Sequence, residues 1–107
     1  MPRNIKKILR ELKKGLVDIY GEQLQAVYLF GSFARGEGKL PDSDIDVMIV
    51  LNDEFNHRDV EKRSSDFVTA LCLEYDVMIS WFFASNARYT QSKMPFMSNV
   101  RKDAVAV

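Results

Sequence analysis

The chain has 107 residues, with 15 acidic and 15 basic side chains and a formal net charge of zero. That length supports one domain, spanning 1–107, and the balanced charge lacks the basic excess expected for direct nucleic-acid binding. A lone Cys72 excludes an intrachain disulfide framework, a lone His57 without cysteine companions offers no zinc site, and no apolar run approaches a membrane span, so a cytoplasmic protein is expected.

The first predicted element is an amphipathic helix over 3–20. Ile5, Ile8, Leu9, Leu12, Leu16 and Ile19 recur at helical spacing. Lys6, Lys7, Arg10, Lys13 and Lys14 fall mostly on the opposite face, as a solvated surface or a contact for an acidic partner. Gly21 suits the residue just past the helix end.

Residues 26–51 read AVYLFGSFARGEGKLPDSDIDVMIVL. Ala26–Phe30 is an apolar run consistent with a buried strand. Gly31 lets the backbone turn sharply and approach a ligand closely, and Ser32 adds a hydroxyl and an N–H for phosphate oxygens. Phe33–Arg35 is predicted to start a short helix whose N-terminus would face a phosphate. Arg35 would bind phosphate or pair with Asp42 or Glu37. Gly36, Gly38 and Pro41 are turn residues.

A second strand follows, opening with Asp44 and Asp46. Side chains alternate along a strand, so Asp44, Asp46, Met48 and Val50 share one face and Ile45, Val47, Ile49 and Leu51 the other. Two carboxylates side by side repel one another, and a divalent cation between them is one good reason to keep both ionised. Magnesium takes oxygen ligands, commonly one or two carboxylates with substrate phosphates.

A second amphipathic helix is predicted over 57–75, capped by Asn56, with Val60, Phe67, Val68, Leu71 and Tyr75 on one face. Asp53 and Glu54, just before it, read as turn residues, and Cys72 within it as a small buried apolar side chain. Residues 76–84, DVMISWFFA, read as a third strand beginning at Asp76. In the tail, Ser85-Asn86 caps a short helix through Tyr89, Pro95 breaks the segment, and Phe96, Met97 and Val100 form a further helical turn.

Together, Gly31-Ser32-x-Ala34-Arg35-Gly36 and Ser43-Asp44-x-Asp46 resemble the signature of minimal nucleotidyltransferases (MNT domains) of the DNA polymerase β superfamily. The resemblance implies an α/β (α+β) fold: a small mixed β-sheet of three or four strands, the site at one edge, and helices 3–20 and 57–75 packed on one face. It implies Gly31, Ser32, Arg35 and Ser43 as nucleotide-binding candidates. It implies Asp44 and Asp46 as catalytic metal ligands for Mg2+, with ATP as co-substrate. Family members use a third carboxylate on a neighbouring strand, and Asp76 best matches that place, with Glu74 as the fallback; otherwise Asp76 is a solvent-exposed acid opening its strand.

Small proteins of this kind resemble the antitoxins of HEPN/MNT toxin–antitoxin pairs. The resemblance implies a hetero-oligomer with a HEPN ribonuclease toxin, silenced by transfer of AMP to a tyrosine. Two other functions remain open on the residues alone: a binding module that blocks its partner sterically, and an adenylyltransferase for a small molecule of the aminoglycoside type.

Overall fold

The computed structural model describes residues 3–40 and 42–107. Pro41, read above as a turn residue, lies outside the described residues, as do Met1 and Pro2. The chain runs through helix α1 (Arg3–Tyr20), a 3-10 turn (Gly21–Gln23), strand β1 (Leu24–Phe30), strand β2 (Ile45–Leu51), helix α2 (His57–Tyr75), strand β3 (Ile79–Ser85), helix α3 (Asn86–Gln91), helix α4 (Pro95–Asp103) and strand β4 (Val105–Ala106).

The sheet order is β3-β2-β1-β4. β1 pairs antiparallel with β2 and with β4, while β2 and β3 run parallel. Parallel neighbours need a long crossover, and α2 supplies it. The result is a mixed sheet, as the motif resemblance implied. Its central strand, β2, is apolar on both faces because both faces are covered.

On one face Ile45, Val47, Ile49 and Leu51 pack with Ile5, Ile8, Leu12 and Leu16 of α1 and with Val60, Val68 and Leu71 of α2. These are the positions that alternation and helical spacing pointed to. The other face is not bare: Met48 and Val50 pack with Tyr89 of α3 and with Met97 and Val100 of α4. Pro95 accordingly breaks the tail by starting a helix, and the single turn expected at Phe96, Met97 and Val100 extends to Asp103. The proline occupies the first turn, where a missing N–H costs nothing.

The caps explain where the other elements stop. Gly21 has a positive φ of 55° just past α1. The Asn56 side chain accepts a hydrogen bond from the Asp59 N–H and opens α2, and the Ser85 side chain accepts from the Arg88 N–H and opens α3. α2 ends at Tyr75, and Asp76 takes the left-handed conformation at φ 52° to reverse the chain. Aspartate tolerates that conformation better than most residues. The third strand therefore starts at Ile79, three residues later than expected. No helix among the described residues is long and apolar enough to cross a membrane.

A polar contact joins the two long helices. The buried Tyr20 hydroxyl donates to the Val60 carbonyl and lies 2.8 Å from the hydroxyl of Ser64, itself fully buried. Burial raises the Tyr20 pKa, so the folded chain holds that proton more tightly than the unfolded chain does. This contribution is whole below about pH 10 and is lost as pH rises through the folded-state value. Tyr20→Phe should lower unfolding stability in urea by about 1 kcal/mol at neutral pH. It should also make the loss of stability above pH 10 shallower than in the wild type.

Candidate active site

The site is built where the end of β1 meets the start of β2. Phe30 pairs in register with Asp46, and Asp46 pairs on its other side with Ser80 of β3. Gly31 follows Phe30 with φ at 76°. A Cβ built on Gly31 would overlap Oδ2 of Asp46. Glycine is thus required twice here, for the turn and for the closeness of backbone to carboxylate.

The turn closes on itself. The Arg35 N–H donates to the Gly31 carbonyl at 3.1 Å and the Glu37 N–H to the Ser32 carbonyl at 2.8 Å. Gly36, at φ 79°, then diverts the chain. The helix expected from Phe33 therefore stops at one turn. Phe33 is buried and anchors the loop, with Gly38 pressed against its ring. Ser43 closes the far end: its hydroxyl accepts from the Lys39 N–H at 3.0 Å and its own N–H donates to the Lys39 carbonyl at 2.8 Å. Here the Ser43 hydroxyl serves the loop.

Asp44 is exposed at the head of β2, and Asp46 is half-buried one step further in. Asp46 lies on β2 and Asp44 one residue before that strand starts, so the pair sits at the end of an inner strand and not at a lateral edge of the sheet, because β3 flanks β2. The Asp46 pKa is raised, first by burial and then by the negative charge of Asp44, with Arg35 opposing. The Ser80 hydroxyl donates to Oδ2 of Asp44 at 3.2 Å. Arg35 pairs with Glu37 at 2.9 Å, one of the expected partners, and with Asp103 at 2.7 Å, which lies 68 residues away at the end of α4. Asp42 has no part in that pairing as the structure draws it.

Asp76 is not brought to this pair. It sits exposed at the left-handed end of α2, and Glu74 is exposed in the last turn of the same helix. Among the described residues, no three acidic, histidine or cysteine side chains converge on a metal-sized site. Neither Asp76 nor Glu74, the expected third carboxylate and its fallback, is grouped with Asp44 and Asp46 there. Glu74 lies in the last turn of α2 and Asp76 caps it, so neither is on β3, which starts at Ile79. The β3 residue beside Asp46 is Ser80.

Two features escaped the sequence reading. One is Ser80 itself. The other is an aromatic cluster on the same face, in which Phe30, Phe82 and Phe96 have ring centroids 5.4–6.0 Å apart. Alternation along β3 puts Ser80 and Phe82 on one face, but only the parallel register shows that it is the face of Asp46. Chemically, two carboxylates and a hydroxyl form an oxygen-only donor set, which suits a hard divalent cation.

The sequence profile of the nucleotidyltransferase domain family matches residues 4–104. "Putative protein adenylyltransferase MJ0141" of Methanocaldococcus jannaschii is 34% identical over 74 residues, covering 69% of this chain and 73% of that protein. "Putative protein adenylyltransferase MJ0604" of the same organism is 34% identical over 77 residues, covering 72% and 70%. Among solved structures, a "putative minimal nucleotidyltransferase" superposes with a TM-score of 0.64 at 20% identity, over 100% of this chain and 97% of the other. A crystal structure of the toxin–antitoxin MntA-HpeT gives 0.63 at 16% identity, over 91% and 69%. A toxin–antitoxin with AMP-PNP gives 0.58 at 20%, over 95% and 68%. At these identities the structural likenesses establish the shared fold.

Gly31→Ala and Gly36→Ala separate the two demands on Gly31. Both positions have positive φ, but only Gly31 faces a carboxylate; Gly36 faces open space. Gly36→Ala should cost about 1–2 kcal/mol in urea unfolding, the left-handed penalty alone. Gly31→Ala should cost more than that, since Asp46 must also move.

Proposed function

This chain belongs to the nucleotidyltransferase domain family, and we propose that it transfers AMP from ATP to a hydroxyl of a partner protein. The observation that carries the reading is the packing of the Asp46 carboxylate against Gly31, beside Asp44. In this reading it sets a turn that would hold phosphate against a pair that would hold a cation. The relatives named as protein adenylyltransferases support a protein acceptor. The toxin–antitoxin neighbours, one of them with AMP-PNP, support an antitoxin role and a nucleotide substrate. The partner in this reading is a HEPN-type ribonuclease toxin, modified on a tyrosine and so neutralised within a cytoplasmic hetero-oligomer. Residues 1–107 act as one minimal nucleotidyltransferase domain.

In the proposed mechanism Gly31 and Ser32 hold the triphosphate through their N–H groups and the Ser32 hydroxyl. Asp44 and Asp46 would hold Mg2+, which when bound neutralises phosphate charge and lowers the pKa of a coordinated hydroxyl. The acceptor oxygen forms a bond to the α-phosphorus. The bond from that phosphorus to the bridging oxygen breaks, and pyrophosphate leaves with the electron pair. The acceptor proton passes to solvent or to a carboxylate. The chain's part is positioning and charge complementarity, as in other phosphoryl-group transfers. Arg35 engages Glu37 through Nε and Asp103 through Nη1, and Nη2 is the donor it would offer a phosphate.

A second reading rests on the two-carboxylate site: a module that blocks its partner sterically without transfer. The aminoglycoside-type alternative gains no support from the geometry. Incubation with ATP, Mg2+ and the partner, read by intact mass, distinguishes the first two. The transfer reading expects AMP-sized gains on the partner. Asp44→Asn and Asp46→Asn should each slow transfer more than about 100-fold, since losing even an outer-shell partner of a metal site costs up to that much. Each should leave the urea midpoint near the wild-type value. Full neutralisation by either variant without any mass gain would favour the steric module.

A further inference from the structure

The residue next to Asp46 on β3 is a serine, and its hydroxyl donates to Oδ2 of Asp44 at 3.2 Å. The register therefore places three oxygen-bearing side chains at one end of the sheet: two carboxylates and one alcohol. Two carboxylates carry the charge that balances one divalent cation. A second dication would find only a neutral hydroxyl left among them, because Asp76 and Glu74 stay with α2.

We propose that Ser80 is the positioning residue of a one-cation centre. Its hydrogen bond engages Oδ2 of Asp44 and leaves Oδ1 of that carboxylate free of that bond. Asp44 is exposed, and an exposed carboxylate samples several rotamers unless something holds it. Ser80 is half-buried on a strand paired along its whole length with β2, so its backbone is a fixed point from which the short side chain reaches Asp44. The inference rests on the metal-site reading above and adds the number of ions and the residue that sets their affinity.

The test is Mn2+ binding to the whole chain, with free ion counted by its paramagnetic resonance signal. The wild type should bind one Mn2+ per chain. Ser80→Ala should weaken binding about 5-fold, the worth of about one net hydrogen bond. Ser80→Thr, which keeps the hydroxyl, should restore affinity to within about twofold. Ser80→Asp supplies the missing charge, so it should bind more tightly and take up a second ion. Equal affinity in Ser80→Ala and the wild type overturns the positioning role, and two ions on the wild type overturn the one-cation centre; both leave the metal reading standing. No Mn2+ on the wild type at all overturns this inference and the metal reading together.

Discussion

The contact between the backbone of Gly31 and the carboxylate of Asp46 governs this site. It requires β1 and β2 to pair in the register that sets Phe30 opposite Asp46. A slip of one residue would turn Asp46 into the apolar layer beneath α1 and α2 and expose Ile45 or Val47. The alternating pattern of β2 forbids that slip, since Ile45, Val47, Ile49 and Leu51 are all fully buried. Hydrophobic burial thereby positions a polar site: the core fixes the register, and the register fixes which carboxylate meets which turn.

The tail contributes more than cover. α4 fills the second face through Met97 and Val100, and its last residue, Asp103, reaches back to Arg35 in the loop after Gly31. The ion pair is partly exposed, so its contribution to stability is small. Its effect is geometric, linking the loop to the end of the chain that also supplies β4. Arg35 remains close enough to favour the charged form of Asp46.

Much of this architecture was legible in the residues. Helical spacing placed α1 and α2, alternation placed the faces of β2, and the Gly-Ser and Asp-x-Asp motifs singled out a turn and a carboxylate that the structure packs together. The failures have a common physical origin in contacts between distant parts of the chain. Asp76 resembled the start of a strand, but it caps α2 at a positive φ and the strand begins only at Ile79, a choice local propensity does not reveal. Ser80 had no motif around it; only the parallel pairing with β2 gives it meaning. The length of α4 was hidden by Pro95, which ends helices from within and starts them from the first turn. Asp103 was unreadable as a partner of Arg35 because nothing local joins residues 68 apart.

The central claim is that this pair of carboxylates and the turn beside it serve nucleotidyl transfer. The most direct measurement uses ATP labelled at either the α- or the γ-phosphorus, with the chain, Mg2+ and the HEPN-type partner proposed above. The account predicts that label from the α position becomes covalently attached to the partner and that label from the γ position does not. Label arriving from the γ position, or none from either while the complex forms and the partner falls silent, would contradict it.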